Sequence, residues 1–332
     1  MGTGRSAPQV PRNGAAALAL AAALASGLAC ASTPEPDPRY RPTESVLEVI
    51  AVLRVHVPDD TYRFEAARDY TGRNVYRSSL LRLESLESLH AEALRAGYMD
   101  GVIAFAKGRS LERLRAFDLA ADQYRIAARR DPTLKVEALR SADVCDSLFQ
   151  AAGMAVDLDD LSGVGDERPP LPTDPDAMLG QFEERVRLLE EVLDAAGESH
   201  YAAVVQEEIE RSDVARARYF VALRKVLPEG EVRAIGELQR VAARHSESKH
   251  ANQHLLALAD LYAELAVEYV EAHPAESLLF DTARFRELTD SASRLYEMVA
   301  NQDGTPEKLE AARRLEAFLA FALRVDSDRF TP

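Results

Sequence analysis

The chain has no tryptophan, only two cysteines among its 332 residues and an aromatic content of 7%. With so few large rings, a core must be filled mainly by alanine, leucine and valine, which favours closely packed helices over a sheet. Two cysteines, Cys30 and Cys145, cannot supply the framework of a disulfide-rich secreted domain. A basic excess is missing as well: 40 Lys and Arg face 55 Asp and Glu, giving a formal charge of −15. Neutralising phosphates needs clustered cations, so this balance argues against a nucleic-acid surface and favours a basic partner. The apolar run Gly14–Ala29 is shorter than the ~20 residues of a comfortable membrane span. Signatures of chemistry are lacking too: no G-x-S-x-G elbow, no phosphate-cradling glycine loop, no C-x-x-C pair and no cofactor motif.

What is present begins with an address. Arg5 and Arg12, with no acid among residues 1–13, precede the apolar run, and small residues end it; residues 1–29 therefore read as an export signal peptide. Gly27, Leu28, Ala29 and Cys30 resemble a bacterial lipoprotein box, in which the cysteine thiol is acylated before the chain is cut on its N-terminal side. Gly27 stands where Leu is usual. The resemblance implies Cys30 as the lipidation site. Ala31 in place of Asp implies, by the sorting habit of enteric lipoproteins, an outer-membrane anchor with the body in the periplasm. An ordinary signal-peptidase cut after Ala29 or Ala31 is the alternative. Met1, Gly2 and Ser6 also fit an N-myristoylation pattern, which would require an unexported N-terminus. Pro34, Pro36, Pro38 and Pro42 make residues 30–42 an extended tether.

Helical periodicity dominates from residue 43 onward. Ser45 and Glu48 form a capping box before Val46, Ile50 and Leu53, predicting a first helix over 45–56. Tyr62, Phe64, Tyr70 and Tyr76 supply aromatic surface to cover the start of the array. Leu80, Leu83, Leu86, Leu89 and Leu94 predict a helix over 75–96. The 133–152 helix carries Val136, Leu139, Val144, Leu148 and Phe149 on a wide apolar face, with Cys145 as a small buried thiol. Residues 154–176, with Asp157, Asp159, Asp160 and four prolines, read as a loop or hinge between two helical halves, 43–153 and 177–325. A calcium loop counted from Asp157 would need Gly and Glu where Ser162 and Arg168 stand. In the second half, helices are predicted from a Thr173 cap to Gly197, over 199–227, from Gly230 to a break at 244–249, from Ala251 to Pro274, over 275–301 with Leu278 in its apolar set, and over 305–325 from a Thr305 cap. Residues 326–332 read as a frayed tail.

The hairpin between Gly101 and Pro132 carries a more specific pattern. Ala120, Tyr124 and Ala127 share one helical stripe that Pro132 ends, while Gly108 sits where a partner helix must come close. Gly108, Ala120, Tyr124, Ala127 and Pro132 resemble the tetratricopeptide repeat; Ala104, Lys107 and Leu111 depart from it where an aromatic, a leucine and an aromatic are usual. The resemblance implies an all-α, TPR-like solenoid of helical hairpins that binds a peptide or protein. Tyr76, Tyr98 and Arg109 are the candidates for that surface. Further on, Ala234, Leu238 and Ala242, the turn Arg244–Lys249 and the Ala/Leu-rich run from Ala251 are similar to the repeat style of periplasmic lipoproteins of outer-membrane β-barrel assembly and of the Tol-Pal coordinator family. His245 replaces an aromatic there and Ser246 a proline. The implied partner is an envelope protein or peptide.

One set of residues points elsewhere. His245, His250 and His254 form a cluster, and the last two, four apart on a helix, could share a zinc ion. Ala251, Asn252 and Gln253 lie between them, so the glutamate base of a zinc protease is absent. Paired acids such as Glu183 with Glu184 and Glu190 with Glu191 read as solvated faces of amphipathic helices. The expectation is a membrane-tethered scaffold without catalysis; the alternatives are a metal-binding protein or hydrolase built on the histidines, or a structural spacer in a secretion or motility complex.

Overall fold

The computed structural model describes residues 45–48, 50–51, 75–96, 99–154, 174–197, 199 and 201–329. Cys30, Tyr98, the 30–42 tether and the acidic run 157–168 lie outside the described residues. Residues 45–48 and 50–51 are helical, and ten longer helices follow: α1 Val75–Ala96, α2 Asp100–Arg113, α3 Phe117–Arg130, α4 Lys135–Ala152, α5 Pro175–Ala196, α6 Tyr201–Leu223, α7 Gly230–Arg244, α8 Ala251–Ala272, α9 Thr282–Ala300 and α10 Glu307–Arg329. There is no strand among the described residues. Each helix packs against the next, and α4 also touches α6 while α8 touches α10, so the fold is an all-α array of stacked helical hairpins.

The helix ends follow from local chemistry. Asp174 and Asp281 are N-caps whose side chains accept from the amides of Asp176 and Ala177, and of Ala283 and Arg284. Pro175 follows the first of these caps, where its missing N–H costs nothing. Gly197 ends α5 with φ of 59°, a conformation most residues avoid. Three expectations are corrected here. Asp174, not Thr173, caps α5. The helix expected over 275–301 begins only at Thr282, and Leu278 and Leu279 stand exposed in the preceding turn. The tail expected to fray from Asp326 continues α10 as far as Arg329.

The core divides into three clusters that share helices. Val46, Tyr76, Leu83, Leu94, Ile103 and Ala106 make the first. The second joins Ala120, Tyr124, Ala127 and Leu148 to Leu189 of α5 and to Val204, Val205 and Ile209 of α6. Met178 and Phe182 of α5, with Tyr219 and Phe220 of α6, belong instead to the third cluster, which extends to Phe318 and Val325 of α10. Helices α5 and α6 thus contribute to both larger clusters, and apolar packing is continuous across the chain on either side of residues 155–173.

At the centre of the second cluster α2 and α3 meet at Gly108. A Cβ added there would lie 2.7 Å from the Tyr124 ring, so only glycine lets the helices approach this closely. Ala120, Tyr124 and Ala127 are fully buried, as their shared stripe predicts. Helix α4 differs from its expected face. Its buried stripe is Ala138, Ser141, Ala142, Cys145 and Leu148, whereas Val136, Leu139 and Phe149 are exposed. Small side chains let α4 pack closely, and the larger ones are left outside.

Candidate functional site

Helix α6 organises the polar interior. Thirteen of its residues are buried, spread around the whole helix rather than along one stripe, because α2, α4, α5, α7 and α8 surround it. Among them are Glu208, Glu210 and Asp213, and each of these carboxylates is met by cations or hydrogen-bond donors from other elements. Burying charge is tolerable only with such partners.

Toward the N-terminal hairpins, Glu208 receives a two-pronged contact from Arg115, at 2.7 and 3.1 Å, and lies 3.5 Å from the fully buried Arg185 of α5. Arg115 sits in the α2–α3 turn at φ 62°, a left-handed conformation rare for a long side chain, and its bidentate grip on Glu208 helps hold it there. Glu207 takes Arg113 and Lys249. Nearby, Arg109 of α2 packs over the Phe105 and Tyr201 rings at 5.3 and 5.5 Å.

Toward the C-terminal hairpins, Glu210 accepts from the Ser248 hydroxyl at 2.7 Å and from His254 Nε2 at 2.5 Å. Asp213 accepts from Arg240 at 2.8 Å, His245 Nε2 at 2.8 Å and Arg244 at 3.1 Å. Burial alone raises both carboxyls, but these donors more than offset it and hold each below the ordinary carboxylate range. The histidines at 245 and 254 are therefore occupied in joining the α7–α8 turn and the first turn of α8 to α6. No group of His, Cys, Asp and Glu suited to hold a metal ion occurs among the described residues.

Glu112 is the exception to this pattern. It is completely buried, accepts from the Tyr124 hydroxyl at 2.7 Å, and has Arg109 3.9 Å away and the Cys145 sulfur at 4.0 Å. Burial pushes its carboxyl above the ordinary value, against the pull of Arg109 and of the tyrosine hydrogen bond. Burial likewise raises the Cys145 thiol, a free and inert sulfhydryl. A carboxyl raised in the folded state favours folding most below its unfolded pKa, and that contribution is lost as pH rises through the folded value. Glu112→Gln keeps an acceptor for Tyr124 and removes the buried charge. Its thermal midpoint is expected above the parent's at about pH 8, with the gap closing below about pH 4. A lower midpoint at about pH 8 would contradict this.

Two of the three residues predicted for a partner surface, Tyr76 and Arg109, lie elsewhere than expected; Tyr98 is outside the described residues. Tyr76 is 2% exposed, packed with Val46 and Ile103 and lying under the Arg113 guanidinium, so it belongs to the core. Arg109 is largely enclosed against aromatic rings. The paired acids Glu183, Glu184, Glu190 and Glu191 are exposed, as read from their spacing. The seam along α6 was not foreseen. Its sequence carries little signal: between Val204 and Phe220 the apolar residues of this 23-residue helix are interspersed with four acids, three arginines, a glutamine and a serine.

The fold and its seam define an all-α array of helical hairpins, with buried ion pairs joining its successive members. No protein-family model matches the chain, and neither the curated proteins nor the solved structures contain a significant match to it.

Proposed function

We propose that the chain is a TPR-like binding scaffold of the bacterial cell envelope, fastened to the outer membrane through an acylated Cys30, with its helical body in the periplasm, where it receives an envelope protein or peptide. The observation that carries this reading is the division of labour in the array. The buried carboxylates of α6 are matched by cations and hydrogen-bond donors from neighbouring elements, while large apolar side chains such as Leu89, Val136, Phe149, Leu309 and Leu323 stand on outer faces at 57–83% exposure. Exposed apolar surface on a stacked repeat array is a common basis for recognition. The interlock of Gly108 with Tyr124 supports kinship with the tetratricopeptide pattern. No helix among the described residues is long and apolar enough to cross a membrane, so attachment in this reading depends on the lipid.

Mass spectrometry of the mature protein tests the anchor. The expected N-terminus is Cys30 carrying acyl chains, and Cys30→Ala is expected to shift the protein from the membrane to the soluble fraction. A retained Met1, or a mature chain that starts beyond Cys30, would overturn the tether. Binding is tested by crosslinking in intact envelopes: a specific protein adduct supports the scaffold, whereas turnover of a small substrate without any adduct contradicts it.

A further inference from the structure

Helix α10 packs on α9 and α8, and no other helix packs on it to a comparable extent among the described residues. Ala311, Phe318 and Val325 face inward. On the outward side Leu309, Ala312, Glu316, Leu319, Leu323 and Asp326 recur at alternating intervals of three and four, the spacing of the a and d positions of a helical seam. All six are exposed, Leu309 by 80% and Leu323 by 69%. Leu319 also forms one lip of a groove of about 190 Å³ against α9, with Phe285 in its lining and Arg286 and Asp290 on the opposite lip.

The charges on this face say what fits it. The two polar positions in the stripe are both carboxylates, and a third, Asp290, borders the groove. None of the three has an ion pair among the described residues; the cations nearby are Arg286, exposed beside Asp290 on the groove's far lip and away from Glu316, and Arg313 and Arg314 on the neighbouring rows of α10, which are already paired with Glu310. A second copy of the chain packed antiparallel about the middle of α10 would match Leu309 with Leu323 but set Glu316 against Glu316, a like-charge contact in the centre of the seam. A lipid surface would have to take up both Glu316 and Asp326 among the leucines, at a desolvation cost. A cation opposite Glu316 removes the conflict and fixes the register, as a single polar position does in paired helices.

We infer that the outward face of α10 docks an amphipathic helix of a partner protein, one that presents an apolar stripe interrupted by a Lys or Arg set against Glu316. This rests on the scaffold reading and specifies the class of partner that this face takes. The probe is a 21-residue helical peptide with leucine at its a and d positions and lysine at the central a, compared with a peptide bearing glutamate there, each titrated into the full chain by fluorescence anisotropy. The lysine peptide is expected to bind roughly tenfold tighter or more. Glu316→Lys should reverse the preference, and Leu323→Asp should weaken both peptides about tenfold with an unchanged thermal midpoint, because Leu323 supports no core contact. Equal affinity for the two peptides, or for the parent and Leu323→Asp, overturns the inference. So does a sedimenting dimer, or binding to phospholipid vesicles, that Leu323→Asp abolishes, since either would name a different occupant. Envelope crosslinks recovered from other faces, with none from α10, would sink this inference and leave the scaffold standing.

Discussion

Replacing Asp213 with alanine is expected to destabilise the array by about 3 kcal/mol, among the largest effects of any single polar change in the chain. The carboxylate is 2% exposed and receives Arg240, Arg244 and His245, so its removal leaves three donors converging on an empty position. Arg240 and Arg244 keep Glu237 and Glu190 as second partners, which limits the loss. The effect depends on pH with a definite sign. Asp213 is held below its unfolded pKa, so its contribution is present above that value, about 3.9, and is lost as pH falls through the lower folded value. Asp213→Asn, which keeps the shape, should therefore lie well below the parent at neutral pH and converge with it in strong acid. Denaturant unfolding at a series of pH values checks both points. A gap that stays constant down to about pH 2 would show that the aspartate's charge is irrelevant to the fold.

Gly230→Ala is expected to cost more than about 2 kcal/mol, while Gly236→Ala, six residues further along the same helix, should gain about 0.5–1 kcal/mol. A Cβ on Gly230 would lie 2.2 Å from the Arg224 carbonyl oxygen and 2.8 Å from the Arg224 Cα. Those are backbone atoms closing the turn between α6 and α7, and they cannot rotate away. The preceding residue, Glu229, is already left-handed at φ 54°, so the turn has little freedom to absorb a shift. Around Gly236 nothing lies within 4 Å, and alanine there simply restricts the unfolded chain and favours the helix. The pair separates a steric requirement from ordinary helix propensity. Equal effects at the two sites would mean that the turn is looser than described.

The helices were legible because their signals are local. Leu80 through Leu94 define α1, and the small-aromatic-small stripe of α3 with Pro132 beyond it places the hairpin to within a few residues. A boundary differs from the expected one where a cap sets the helix start late. Asp281 accepts from two amides and starts α9, yet Leu278 and Leu279 gave the preceding turn an apolar, helix-like appearance. On α4 the large apolar residues suggested the wrong face, because contact with a neighbouring helix selects small side chains when the approach is close. The seam was illegible for a different reason. Glu208, Glu210 and Asp213 look like the solvated acids of any amphipathic helix, and only partners distant in sequence, among them the turn residues Arg115, Ser248 and His245, turn them into buried pairs. The same long-range pairing explains why His245 and His254, a metal cluster on spacing alone, lie against carboxylates instead.

The central claim is that this array uses its interior for packing and its exterior for recognition. The most direct measurement places a photocrosslinking amino acid at Phe149 and, separately, at Leu309 of α10 in otherwise intact envelopes, and compares adducts and thermal midpoints for the parent, Asp213→Asn and Leu323→Asp. The account predicts a discrete protein adduct from at least one outer position. It predicts that Leu323→Asp removes the α10 adduct at an unchanged midpoint and that Asp213→Asn lowers the midpoint. It is contradicted if neither outer position yields a protein adduct, or if a seam variant with an unchanged midpoint abolishes a chemical activity of the purified chain.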